Sequence, residues 1–473
     1  MMRSELMNAG NTANGGKETN AMKNITVNTT ENKQMSLEEL GSRVFAKGVT
    51  VSNNPRATKL NNNDLLVGTA GSGKTGGYVV PNLRDLQHSL VVVDAKSQLY
   101  KNYGGYLRRR GFRVENFNFV RPEQSAAYNP MDYIERTWED EVKQTPFGEI
   151  REKKYGYREE DLMSIVKVLV PDDVDNDSTF WGDSARNVIV SLMAYCLEVL
   201  PRKEQHMGSV CRLYDELTEQ AARNGQERGW MGVTFFTELE AENPDSFAVR
   251  MYHKYSCNFK AEKCWSSITQ FVANALSPFE YSSNAKMFNR RSTILFPELG
   301  RQKTVLFVNI SDTDRSMDNL VNLFYTQLFK SLCMEADFHE EGRLAVPVRI
   351  VLDDFASNVC IPNFDKIISN IRSREIYATV ILQSISQLSG MYKEGQAQTI
   401  INNCDHMLYL GGQDVETARF FATKSGKLPE TILEMPLTDA WFFERGSHAR
   451  QVAKVEPYAA EYLESEPNQA QAS

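Results

Sequence analysis

The sequence contains no Cys-x-x-Cys pair, and its seven cysteines stand apart at 196, 211, 257, 264, 333, 360 and 404. The two nearest in sequence, Cys257 and Cys264, lack the spacing of a structural zinc site, which sets zinc ribbons and fingers aside. Cys404 and His406, at the start of an apolar run, read as packing. Scattered thiols suit a reducing cytoplasm better than a disulfide-stapled secreted fold. No apolar run reaches the roughly 18 residues a membrane span requires. The longest, Val188 to Leu200, is interrupted by Ser191 and Glu198, and the N-terminus has no apolar signal segment. Positive charge is not in excess: 53 Lys and Arg face 61 Asp and Glu, a net charge of -8. That balance excludes a globally basic coat for nucleic acid, though a local basic lining stays open. No internal repeat is found.

What is present is a chain of 473 residues, more than one hydrophobic core normally serves, so two domains or one domain with a large insertion are expected. Residues 1–45 read as a disordered leader, because the first 34 are mostly Asn, Thr, Gly, Lys and Glu with little to bury. Short β-rich runs follow: Leu65 to Val67, Leu90 to Val93, Thr304 to Ile310, Arg349 to Leu352, Ala378 to Leu382 and His406 to Leu410. Several are continuously apolar, as strands covered on both faces are, and helical stretches separate most of them. An α/β fold with a mostly parallel sheet is predicted. Residues 46–150 and 291–455 form the two parts of this core. Residues 151–290 carry long helical patterns and read as an all-α insertion between its second and third strands. Residues 456–473, acidic and small, read as a flexible tail; its Glu456, Glu461, Glu464 and Glu466 suit a solubilising role, or docking of a basic partner.

The strongest chemical signal is NNNDLLVGTAGSGKTGGYVVPNL. Here Gly68, Gly73, Lys74 and Thr75 satisfy G-x-x-x-x-G-K-(S/T) directly after an apolar strand. Such a loop, Gly68-Thr69-Ala70-Gly71-Ser72-Gly73-Lys74-Thr75, lets successive backbone N–H groups converge on phosphate oxygens at a helix N-terminus. Lys74 would supply a point charge to the β and γ phosphates of ATP, and the Thr75 hydroxyl would ligate magnesium. Gly76 and Gly77, in the first helical turn, each cost about 1 kcal/mol relative to alanine. Something is therefore expected to pack closely against them.

A phosphate loop needs an acid. It stands at RIVLDDFASN, where an apolar strand ends in Asp353 and Asp354. Asp353 is placed to hold magnesium with Thr75, and Asp354 to polarise the attacking water. The next strand, ATVILQSISQL, ends in Gln383, whose amide could sense the γ-phosphate. Between them, Arg372 and Arg374 could reach a neighbouring subunit's phosphate as an arginine finger. The run Arg108-Arg109-Arg110 with Arg113 reads as a solvated helix end, and Phe180 and Trp181 as anchors of the helical insertion's core.

The stretches GTAGSGKT, VVVDAKSQLY, GGYLRRRGFRVENFNFV, SAAYNPMDYI, FWGDSARNVIVSLMAYCLE, LDDFASNVCIPNFDKIISNIRSREI and VILQSISQLSGMY, in that order over about residues 60 to 450, resemble TraG-type coupling proteins. These are the ATPases of conjugative DNA transfer and type IV secretion. The resemblance implies a RecA-like P-loop NTPase core with an inserted all-α domain, and a homo-hexamer at the cytoplasmic face of the cell membrane. It further implies recruitment of a relaxase with its single-stranded DNA, or of a secreted protein, for passage to the secretion channel. Lys74, Thr75, Asp353, Asp354 and Gln383 match motif positions of the family, and Arg372 and Arg374 its RSRE-like segment. Three departures stand out. Asp354 replaces the family's usual Glu and is one methylene shorter. Gln98 stands where the family has an acid in D-P-K-G-E-L. Family members carry N-terminal membrane helices, whereas this chain shows none, so membrane association through a partner, or a truncated chain, is expected. Two other readings remain open: a nucleotide-binding substrate receptor with weak or no hydrolysis, and another RecA-like DNA translocase.

Overall fold

The structure, a computed structural model, describes residues 35–36, 39–145, 148–171, 179–224, 232–311, 313–355 and 360–459. Most of the expected leader, residues 1–34, and the tail beyond 459 lie outside the described residues. Thirteen strands are found among the described residues, in chain order. They are β1 (Ser42–Ala46), β2 (Val49–Ser52), β3 (Asp64–Val67), β4 (Ser89–Val93), β5 (Arg113–Asn118), β6 (Arg136–Thr145) and β7 (Gly148–Tyr157). The remainder are β8 (Thr304–Asn309), β9 (Val348–Leu352), β10 (Ile376–Leu382), β11 (His406–Tyr409), β12 (Asp439–Glu444) and β13 (Arg450–Ala453).

The core is one nine-stranded sheet in the order β13-β12-β11-β3-β10-β9-β4-β8-β5. From β11 across to β5 every neighbouring pair is parallel, while β12 and β13 add an antiparallel edge. Along β3, Leu65 and Val67 join one apolar cluster and Leu66 the other; along β4, Val91 and Val93 oppose Leu90 and Val92. Two covered faces are why these strands read as unbroken apolar runs. All of the strands expected from sequence are present. β5 was not expected, because its half-buried polar positions Arg113, Glu115 and Asn116 break the apolar run on an edge strand. β1, β2, β12 and β13 are further additions; β1, all but its last residue Ala46, lies inside the span read as leader and pairs with β2.

Between β7 and β8 the chain forms helices Glu159–Leu169, Thr179–Val199, Met207–Asn224, Thr234–Glu242, Phe247–Ser256 and Glu262–Glu280. Their core is aromatic: Phe236 stacks on Tyr252 at 4.5 Å and Phe259 meets Trp265 edge-on at 4.5 Å. Two corrections apply here. Residues 151–157, expected to be helical, belong to the hairpin β6–β7, registered from Arg136 opposite Tyr157 to Thr145 opposite Gly148. Its mixed, charge-rich sequence carries no apolar alternation, so it gave no strand signal. Phe180 is 53 % exposed and meets only the edge of the Trp181 ring at 5.0 Å among the ring contacts of the described residues, whereas Trp181 packs against the core. Among the described residues no helix is long and apolar enough to cross a membrane.

Candidate phosphate-binding site

The centre of the site is the C-terminal end of β3, flanked by the ends of β10 and β11. The Gly68 N–H donates to Leu382 O at 3.1 Å and the Thr69 N–H to Gly411 O at 3.2 Å, so the loop is tied to both neighbours. Gly71 (φ 77°) and Gly73 (φ 95°) take the left-handed backbone that a side chain resists. A Cβ on Gly68 would stand 2.5 Å from Ser72 Oγ and 2.8 Å from Leu410 Cβ, so only glycine fits the tightest point of the loop. The Ser72 hydroxyl is buried in the loop without a hydrogen-bond partner. The Lys74 ammonium, nearly buried, donates to Gly68 O at 2.8 Å and Thr69 O at 3.3 Å, and so bridges the mouth of the loop.

β9, next but one to β3, delivers the acids. The Thr75 hydroxyl donates to Asp353 Oδ2 at 2.7 Å. Asp354 Oδ1 lies 3.6 Å from Lys74 Nζ and accepts from the Gln383 amide at 3.3 Å. The chain turns sharply here: Asp354 has φ 50°, and its N–H donates to Asp353 Oδ1 at 3.1 Å. Burial pushes the Asp353 carboxyl above its ordinary range, the Thr75 hydrogen bond opposes this, and the neighbouring charge of Asp354 reinforces it. One strand further on, Asp94 follows β4 and accepts from the N–H groups of Gln98 (2.9 Å) and Tyr100 (2.8 Å), which caps the helix Gln98–Arg109. The departure at Gln98 thus contributes a backbone donor.

The structure therefore brings together Lys74, Thr75, Asp353, Asp354 and Gln383, drawn from three strand ends. It does not bring Arg374 to them within the chain. Arg374 precedes β10, so a seven-residue strand of about 20 Å separates it from Gln383. Its guanidinium forks onto Asp337 at 2.9 and 3.1 Å. Arg372 sits in the same short turn, exposed. Of the arginine run, Arg108 lies over the Tyr100 ring, and Arg113 pairs with Glu298.

A flap over the loop's helix was missed by the sequence reading. The helix starts π-wound over Lys74–Val79, with the Val80 N–H reaching back to Thr75 O, and continues as α-helix over Val80–Arg84. On that winding the donor due to meet Gly76 O is Pro81, which has no N–H. The Tyr458 N–H donates to Gly76 O instead, at 3.3 Å. A Cβ on Gly76 would meet the Tyr458 ring at 2.8 Å, one on Gly77 would meet Val455 O at 2.9 Å, and one on Gly73 would meet Pro457 Cγ at 3.2 Å. The paired glycines were the signal, and the segment behind them is Val455–Tyr458. The flexible tail expected from 456 onward is corrected here, because its first residues are held against the loop. The second missed feature is Gly411-Gly412, whose approach to Thr69 closes the other flank.

The model of the type IV secretory system conjugative DNA transfer family matches residues 16–434. The chain belongs to this family. Among relatives of this conjugative DNA transfer family, VirD4 of Agrobacterium fabrum is 22% identical over 392 residues, covering 82% of this chain and 52% of that protein. The conjugal transfer protein TraG of Escherichia coli is 22% identical over 379 residues, covering 78% and 55%. The chain thus spans about half the length of these relatives. The coupling protein TrwBdeltaN70 in complex with sulphate superimposes with a TM-score of 0.59 at 16% identity, covering 90% of this chain and 93% of that one. TrwB in complex with ADP and Mg2+ gives 0.58 at 15%, covering 93% and 91%. These likenesses establish the RecA-like P-loop NTPase fold.

Proposed function

We propose that this chain is a coupling ATPase: it binds ATP with magnesium in the loop Gly68–Thr75 and uses hydrolysis to pass a substrate into a type IV secretion channel. The observation that carries the proposal is the 2.7 Å contact between Thr75 Oγ1 and Asp353 Oδ2. A hydroxyl at the loop's end and a carboxylate from a remote strand converge where one divalent cation could take both. The unpartnered Ser72 hydroxyl and the glycine-only packing at Gly68 suit a cradle made for an anion. The TrwB structures with nucleotides support the same reading.

In this scheme Thr75 and Asp353 would hold a magnesium ion, whose charge would stabilise the charge that develops on the phosphates. Lys74 turns from the carbonyls of Gly68 and Thr69 to the β and γ phosphates. Asp354 takes the proton of the attacking water as the water oxygen bonds to the γ-phosphorus and the bond from that phosphorus to the β–γ bridging oxygen breaks, with ADP as the leaving group. Gln383, already on Asp354, orients that water. Arg374 acts in trans, leaving Asp337 to reach the site of a neighbouring copy in a homo-hexamer. A relaxase with its single-stranded DNA is the proposed cargo, with recruitment to the membrane through a channel partner. The test is Lys74→Ala: ATP turnover, read as phosphate release, is expected to vanish while the circular-dichroism spectrum stays that of the parent. Turnover equal to the parent's would place the site elsewhere.

A further inference from the structure

Lys74, Thr75 and Gly76 are the first residues of the helix, and their N–H groups precede its first internal hydrogen bonds. The next N–H, that of Gly77, is already committed to Gly73 O at 2.7 Å. Gly76 thus carries the last N–H of this turn ahead of that bond. If Lys74 and Thr75 serve the two outer phosphates, the innermost phosphate falls to Gly76, and the nucleoside leaves the cradle past that residue. What stands beside Gly76 is the ring of Tyr458, with Pro457 next to Gly73.

Three features show that this ring is held there. Its backbone N–H fills the vacancy that Pro81 leaves at Gly76 O. Tyr458 keeps a left-handed backbone, φ 56°, which a non-glycine residue holds only where its contacts offset the strain. The segment before it is anchored by Lys454, whose N–H donates to Thr438 O at 2.8 Å and whose ammonium donates to Leu410 O at 2.7 Å. Yet the Tyr458 side chain is not consumed by the core, since the residue is 50 % exposed. A large aromatic, fixed by its backbone and open on one side, at the exit of a phosphate cradle is suited to receive a flat ring.

We infer that Tyr458 is the stacking shelf for the base of the bound nucleotide, and that Gly76 is glycine so that this shelf can close on the helix. The inference rests on the nucleotide reading of the loop and goes beyond it by naming what recognises the base. It makes the segment after β13 part of the nucleotide site. A segment that only covered the helix would serve equally well with any side chain at 458.

The experiment compares MgADP with magnesium tripolyphosphate, which offers phosphates and no base, by calorimetric titration of the full chain. In Tyr458→Ala, MgADP affinity should fall about 5- to 150-fold, the range of aromatic–base stacking, while tripolyphosphate affinity stays at the parent's value. Tyr458→Phe should bind both as the parent does, because the ring and not the hydroxyl is at work. Equal loss for both ligands, or loss for neither, would overturn the shelf while leaving the loop's role intact. A parent chain that binds neither ligand would overturn the phosphate-loop reading, and the shelf with it.

Discussion

Gly77 offers a test of the packing that needs no nucleotide. Replacing a mid-helix glycine by alanine ordinarily stabilises by about 1 kcal/mol. Gly105, exposed within the helix Gln98–Arg109, should follow that rule, since the nearest atom to an added Cβ is Arg109 Nη1, the end of a flexible side chain, at 3.6 Å. Gly77→Ala receives the same propensity gain but drives its Cβ to 2.9 Å from Val455 O. That atom is backbone, in a segment pinned through Lys454, so it cannot swing aside. Overpacking of this kind costs about 1–3 kcal/mol. The propensity gain cancels between the two variants, so Gly77→Ala should be about 1–3 kcal/mol less stable than Gly105→Ala. Urea unfolding of both variants, at matched slopes, measures the difference through their midpoints. A midpoint for Gly77→Ala raised as far as that of Gly105→Ala would refute the claim that the segment 455–458 presses on the helix.

Two other predictions concern the acid pair and the buried histidines. Asp354→Asn should lower kcat for ATP by about 10²–10⁴-fold, the usual worth of a positioned base, while nucleotide affinity is kept or tightened because a negative charge beside Lys74 is lost; weakened affinity with an unchanged kcat would reverse the roles assigned to the two aspartates. Burial pulls His406 down to about 4 and His88 down to about 3 from an ordinary value of 6.5. Both are then neutral when folded, whereas the unfolded chain takes up protons below pH 6.5, so stability should fall as pH drops from about 6.5 towards 4. Urea midpoints across that window check the sign, and His406→Gln should flatten the slope; a midpoint independent of pH over the same range would remove the assignment.

What could be read from the sequence follows the range of the interactions involved. The strands β3, β4, β8, β9, β10 and β11 declared themselves because both of their faces are covered, a condition written locally as unbroken apolar residues. The loop from Gly68 to Thr75 is equally local, since its chemistry depends on consecutive backbone N–H groups. The acids required a second step: Asp353 and Asp354 gain meaning only because a phosphate loop already stands upstream. Edge strands and the β6–β7 hairpin were not legible, since an exposed edge tolerates Arg113 and Glu115 as readily as valine. Nor was the closure of Tyr458 on Gly76, a contact made across most of the chain. Its trace was indirect, two glycines where a helix should resist them.

The least legible feature lies at the opposite end of β3. Asp64 is fully buried and accepts from Arg43 Nε at 2.9 Å, Arg349 Nη1 at 2.7 Å and the Tyr78 hydroxyl at 2.8 Å. Burial alone would raise its carboxyl, but the two guanidinium groups outweigh it and hold the carboxyl below its ordinary range. Such a cluster is a poor source of stability, because desolvating three charges costs about as much as their attraction returns. Its placement suggests what it does supply. Tyr78 belongs to the phosphate-loop helix, Arg349 to β9 and Arg43 to β1, so one carboxylate fixes the relative positions of the elements that carry Lys74 and Thr75 at one side and Asp353 and Asp354 at the other. The loop and the acids stand roughly 10 Å above this joint, at the far ends of the same two strands. Thr75 and Asp353 meet at 2.7 Å, and a contact that short between a helix and the end of a strand requires a placement that cannot slip. Apolar packing alone would tolerate small sliding of β9 past the helix, whereas directed bonds to one buried carboxylate do not.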